Sequence, residues 1–159
     1  MLHTQEDIKW MHEALLEAQK AMSKGEVPIG AVIVYQDTII GRGHNLRETN
    51  HNPLAHAEIM AIEEASKHIQ AWRLTDCTLY VTLEPCPMCA GAIVQSRITK
   101  VVYGTTDIKA GCAGTLMNLL QEPRFNHESQ VISGVLQSEC SQILKDFFKQ
   151  LRLRKKLVK

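Results

Sequence analysis

Apolar residues recur at helical spacing near the start of the chain, where Ile8, Met11, Leu15, Ala18 and Met22 share one face of residues 5–23. Thr4 with Asp7 has the spacing of a capping box at the start of that helix, and Gly25 is placed to stop it. The period then changes. Residues 29–35 form a short, nearly continuous apolar run rich in β-branched side chains, which predicts a strand covered on both faces. Gln36-Asp37 predicts a tight turn into a second strand over 38–44, and so an antiparallel hairpin. Gly30, Gly41 and Gly43 within that hairpin predict close backbone approach or bulges.

A polar, turn-rich stretch over 45–53 leads to a second helical pattern at 55–68, with Ile59, Ile62 and Ala65 on one side. Residues 78–83 predict a third strand, 86–95 a short helix and 98–104 a fourth strand. Strand, helix and strand in that order make a β-α-β unit, so the third and fourth strands should be parallel. A glycine-containing loop over 107–114 precedes a helical turn at 116–120 and a small strand at 131–134. The chain closes on a helix over 136–157, with Cys140, Ile143, Leu144, Phe147 and Leu151 on one face. The predicted fold class is α/β: a three-layer arrangement with a mixed sheet and helices on both faces.

Two stretches of this frame carry candidate chemistry, His56-Ala57-Glu58 and Pro85-Cys86-Pro87-Met88-Cys89. Cys86 and Cys89 at CxxC spacing can turn both sulfurs toward one ion at a helix start, and His56 adds an imidazole. Zinc accepts such ligands at about 2.0–2.3 Å, and a catalytic zinc site keeps a fourth position free. Glu58, two residues beyond His56, is placed to carry protons between water and substrate. The combined pattern H-x-E…P-C-x-x-C is the signature of zinc-dependent nucleobase deaminases. Two other readings of the same residues exist. CxxC alone also suits a redox pair, and His51, Cys77 or Cys112 could complete a closed structural zinc site.

Composition narrows the class. The chain has 159 residues, 45% hydrophobic and 22% charged, which suits one soluble domain over 1–159. No apolar run approaches the roughly 20 residues of a membrane helix, and the first residues lack the pattern of a secretory signal. A cytoplasmic location is therefore expected, with Cys77, Cys112 and Cys140 as buried free thiols. The net charge of +1 hides an uneven distribution. Five of the 18 basic residues (Arg152, Arg154, Lys155, Lys156 and Lys159) lie in the last eight positions, leaving 13 against 17 acidic residues before them. Such a tail suits a phosphate backbone, or simply the negative end of a helix dipole.

Several longer stretches resemble the cytidine deaminase-like zinc superfamily, and within it the bacterial tRNA-specific adenosine deaminases. They include residues 25–31 (GEVPIGA), 43–45 (GHN), 55–61 (AHAEIMA), 80–92 (YVTLEPCPMCAGA), 114–118 (GTLMN) and 125–127 (FNH). The resemblance implies five strands in the order 2-1-3-4-5, one zinc per subunit and a homodimer. It implies that His56, Cys86 and Cys89 bind zinc and that Glu58 shuttles protons. It assigns Asn45 to the flipped nucleoside, and Asp107, Asn126 and Phe148 to the channel for flanking anticodon nucleotides. Arg152, Arg154, Lys155 and Lys156 are then candidate contacts to tRNA phosphates. The implied reaction is adenosine to inosine at the wobble position. The HAE and PCxxC patterns are shared with deaminases of free guanine, cytosine and dCMP, so a free base or nucleotide remains an alternative substrate. A non-catalytic, zinc-stabilised RNA-binding protein is a third reading.

Overall fold

A computed structural model describes residues 3–158. Five strands form one sheet in the order β2-β1-β3-β4-β5: β1 Gly30–Tyr35, β2 Thr38–His44, β3 Thr78–Leu83, β4 Lys100–Thr105 and β5 Gln130–Ser133. Strand β1 runs antiparallel to β2 and β3, whereas β3, β4 and β5 are parallel. The hairpin turns at Gln36 and Asp37, both at positive φ (49° and 58°), as a two-residue turn between twisted strands requires.

Alternation along the strands separates two cores. Ala31, Ile33, Leu79, Val81, Val101 and Tyr103 face helices α2 (Ala57–Ile69) and α3 (Pro87–Ser96). Val32, Val34, Tyr80 and Val102 face the other way, toward α1 (Gln5–Ser23) and α4 (Gln137–Val158). The order and the three layers are those expected.

Small residues set how closely α2 lies on the sheet. Side chains added at Gly41 and Gly43 would run into the backbone of Ala61 and Ala57, and α2 itself buries Ala57, Ala61 and Ala65. The predicted close approach is therefore real, and it belongs to a helix that begins at the candidate site. Gly30 makes the same kind of contact with α1. The hairpin also carries an irregularity between Ile33 and Val34.

Three local expectations are corrected. Thr4 does cap α1 by accepting the Asp7 N–H at 3.0 Å. Asp7 does not reach back to complete the box, because its carboxylate is buried against the Tyr80 hydroxyl and the Lys100 ammonium. Helices α2 and α3 start later than the apolar pattern suggests, so His56 and Cys86 are N-caps rather than first-turn residues. The helical turn falls at Leu119–Gln121, because the chain before it closes a bridge between Ala113 and Asn118. The expected face of α4 holds: Cys140 is buried, and Ile143, Leu144, Phe147 and Leu151 are half-covered. A 22-residue helix is about 33 Å long, and the six-residue strand beneath it covers only about 20 Å. The helix outruns its support.

Gly43→Ala should cost roughly 1–3 kcal/mol, because its methyl would sit 2.9 Å from the Ala61 nitrogen with no cavity to receive it. Urea denaturation measures this, and an unchanged midpoint would disprove the account of why α2 sits where it does.

Candidate active site

The parallel strands β3 and β4 end at the same edge of the sheet, where antiparallel β1 begins and β2 finishes. A cavity of about 570 Å³ opens there, floored by His56, Glu58 and Cys86. Val27, Ile29 and Leu83 supply apolar wall, and the loops after β2 and β4 form its two lips.

N-cap positions normally hold Ser, Thr, Asp or Asn, whose side chains accept an N–H of the first turn. Here the caps are His56 and Cys86, and neither side chain makes that bond. They turn toward each other instead. The His56 Nδ1 lies 3.6 Å from the Cys86 Sγ and 3.5 Å from the Cys89 Sγ. All three donor atoms lie within 4.8 Å of one another, a group that could hold a metal ion. Among the described residues no fourth such ligand joins them, so His51, Cys77 and Cys112 do not close the site. Cys77, Cys112 and Cys140 are buried free thiols.

The sulfurs and the imidazole already interact electrostatically. The Cys86 thiol is pulled down to about 4 by hydrogen bonds from Cys89 and His56, which outweigh burial. Cys89 is pushed up by the same hydrogen bond, and the Cys86 thiolate raises His56. Two helix N-termini pointing at this spot add positive potential that favours thiolate. Glu58 is 4% exposed, and burial pushes its carboxyl up to about 7.

The remaining expected residues divide. Asn45 lines the cavity; its amide donates to the Val27 carbonyl at 3.2 Å and its oxygen accepts the Arg47 N–H at 3.1 Å. One amide hydrogen and one lone pair are left for a ligand. Asp107 and Phe148 also line it, Asp107 folding its loop by accepting the Lys109 and Ala110 amides. Asn126 is not brought there. It is exposed on the connection into β5, which is anchored to Ile98 and Thr99 at the starting end of β4, opposite the cavity. Arg152 lines an adjoining cavity of about 500 Å³ together with Lys109, Lys145 and Phe148. Arg154, Lys155 and Lys156 are exposed beyond it, and Lys159 lies outside the described residues.

Several residues at the cavity escaped the sequence pattern. Arg47, Ile108 and Lys109 rim the cavity from loops that have no periodicity to read. Glu26 and Glu84 lie buried behind those loops. Both lie inside the stretches 25–31 and 80–92 that carry the family resemblance, but nothing in the sequence names their partners.

A His-Cys-Cys group beside a buried carboxylate, at the open edge of this sheet order, defines a deaminase of the cytidine deaminase-like class. The MafB19-like deaminase family matches residues 5–152, and the chain belongs to it. A tRNA-specific adenosine deaminase of Bacillus subtilis (strain 168) is 60% identical over 153 residues, covering 96% of this chain and 94% of that protein. A solved structure from a study of A-to-I editing by tRNA deaminases at the wobble position of transfer RNA gives a TM-score of 0.82. It is 40% identical and covers 86% of this chain and 99% of that one. A guanine deaminase from Nitrosomonas europaea shares the fold at a TM-score of 0.74 and 23% identity, covering 92% of this chain and 86% of that one.

Cys86→Ala should leave two of the three donors and lose bound metal together with thermal stability, since metal binding and folding are linked. Elemental analysis of the purified variant decides it. Stoichiometric metal would remove Cys86 from the ligand set.

Proposed function

We propose that the chain converts adenosine to inosine at the wobble position of the tRNA anticodon, with one zinc ion on His56, Cys86 and Cys89 and with Glu58 as proton carrier. The observation that carries the chemistry is the enclosed Glu58 carboxyl beside the three-donor group. The relatives named as tRNA-specific adenosine deaminases support the substrate.

The donor set fits zinc. At ordinary bond lengths a tetrahedral angle separates imidazole nitrogen from thiolate sulfur by about 3.6 Å, against 3.6 and 3.5 Å here. Thiolate and imidazole are also the donors that zinc selects over harder cations. A zinc ion held there supplies Lewis acidity toward water near neutral pH. Glu58 takes a proton from the attacking water and delivers it to N1 of the purine. Oxygen bonds to C6, which becomes tetrahedral. Glu58 then carries the second proton to the exocyclic amine, the C6–N bond breaks and ammonia leaves. Val27, Ile29 and Leu83 keep bulk water from the base, while the free amide hydrogen and lone pair of Asn45 hold the nucleoside. The base must leave its stack to enter, which is cheap in a single-stranded loop.

Flanking nucleotides follow the lips. Asp107 and Phe148 line the way out, and Lys109 and Arg152 offer charge to the backbone in the adjoining cavity. Arg154, Lys155 and Lys156 extend that charge along α4. The chain is taken as one deaminase domain over 1–159, working as a homodimer in the cytoplasm. Leu54, Leu116 and Met117, each more than half exposed, offer apolar surface to a second subunit. Unpaired cysteines suit a reducing compartment, and no helix among the described residues is long and apolar enough to cross a membrane.

Incubation with a tRNA pool, digestion and nucleoside analysis should reveal inosine, with no comparable release of ammonia from free guanine. The reverse pattern would move the substrate to free bases. Glu58→Gln should retain zinc and fold yet lose roughly 10²–10⁴-fold in rate, because an amide cannot carry the proton. Retention of activity within about tenfold would sink its role.

Neutralising Arg152, Arg154, Lys155 and Lys156 together should weaken tRNA binding and flatten the log K against log salt slope by roughly 0.7–0.9 per lost phosphate contact. Filter binding at several salt concentrations tests this. Parallel slopes for parent and variant would leave the tail as a dipole-capping helix end only.

A further inference from the structure

Apart from Glu58, four carboxylates among the described residues are almost wholly buried: Asp7, Glu17, Glu26 and Glu84. Burying an ionised carboxylate is costly unless donors surround it, so each is explained by what it holds. Asp7 accepts from the Tyr80 hydroxyl at 2.8 Å and the Lys100 ammonium at 3.1 Å. Glu17 accepts from Lys20, Arg42 and His44. Both tie α1 to the strands.

Glu26 and Glu84 hold something different. Glu26, in the turn after α1, accepts the Glu48 N–H at 3.1 Å and both the N–H and the hydroxyl of Thr49 at 2.6 Å. Those donors directly follow Arg47, on the lip that carries Asn45. Glu84, immediately after β3, accepts the N–H groups of Asp107 (3.1 Å), Ala113 (3.0 Å) and Thr115 (3.1 Å) and the Thr115 hydroxyl (2.5 Å). Those donors bracket the other lip, with Ile108 and Lys109 on it. The backbone of Gly111 lies so close to the Glu84 carboxylate that any side chain there would collide with it. Neither lip belongs to a helix or to the sheet; turn hydrogen bonds such as Asn50 N–H to Leu46 and Gly111 N–H to Asp107 fold each one, and the two carboxylates take up amides that those turns leave over.

We propose that Glu26 and Glu84 are paired positioning residues that hold the two lips of the cavity in the shape that receives RNA. Their hydrogen bonds set substrate binding rather than the rate of the chemical step. This rests on the tRNA reading for the identity of the substrate. The physical reason is preorganisation: a lip ordered during folding need not be ordered again when RNA binds. Each carboxylate reaches its lip from a rigid element, Glu26 from the end of α1 and Glu84 from the end of β3, and each is matched to several donors at once. Acceptors of this kind are not replaceable by an amide, since a side-chain NH₂ would face N–H donors.

The test compares Glu26→Gln, Glu84→Gln and Gly111→Ala with Asp7→Asn, a buried carboxylate that touches neither lip. Gly111→Ala disturbs the Glu84 contacts without changing charge, and stands in if Glu84→Gln does not fold. Amide hydrogen exchange, zinc content, and KM and single-turnover rate on an anticodon stem-loop are measured for each. Faster exchange is expected over residues 45–53 in Glu26→Gln, and over 106–116 in Glu84→Gln and Gly111→Ala. KM should rise by roughly tenfold or more, with zinc retained and the saturating single-turnover rate within about twofold of the parent. Asp7→Asn should lower the melting temperature and leave KM and lip exchange as in the parent. Unchanged lip exchange, an equal KM rise in Asp7→Asn, or a single-turnover loss as large as the binding loss would each overturn the proposal. A parent protein that makes no inosine would instead refute the tRNA reading, and the exchange data would still decide what the two carboxylates hold.

Discussion

The first N–H groups of an α-helix have no partners within the helix, and a metal-binding pair of thiolates needs positive potential around it. In this fold one constraint serves both. Helices α2 and α3 start at the same edge of the sheet, with His56 and Cys86 as their caps. Because neither side chain caps its own helix, both are free to meet 3.6 Å apart. The separation depends on how far α2 stands from the sheet, and that distance is fixed by Gly41, Gly43 and the alanines facing them. Small residues behind the site, Ala57 between His56 and Glu58 among them, thus set how closely the helix that starts at His56 lies on the sheet.

Around that rigid floor the cavity walls are loops, and loops lack the ladder that holds helices and strands. Buried acceptors add to the turn hydrogen bonds that these loops make. The Glu26 carboxylate is lowered although burial alone would raise it, because the Thr49 hydroxyl and amide and the Glu48 amide outweigh the loss of solvent. Glu84 has a denser set of donors on the opposite side. Floor and lips are therefore stabilised by different physics: close packing of small residues below, hydrogen-bonded charge at the sides.

The helix α4 adds an asymmetry. It covers β4 with its first turns, packing Cys140 against Gly104, and then runs past the sheet. Leu144 and Phe148 turn to the cavity where that support ends, and Arg152 follows one turn later. Apolar contact gives way to aromatic surface and then to charge along a single helix face, which is the order a nucleic-acid strand leaving a base pocket would meet.

Much of this was legible in the sequence, because periodicity and spacing are local. The short apolar run at 29–35 and the helical spacing in 5–23 each marked an element, and H-x-E with P-C-x-x-C named the donor atoms. Strand order and substrate came through resemblance to relatives rather than from periodicity. Tertiary structure decided what depends on distance between remote segments. It turned Asp7 from a cap residue into a buried partner of Tyr80 and Lys100, left Asn126 at the far end of β4, and gave Glu26 and Glu84 their loops. A pattern along the chain records which residues share a face, whereas the partners of a buried charge are chosen by the approach of segments that the chain itself keeps far apart.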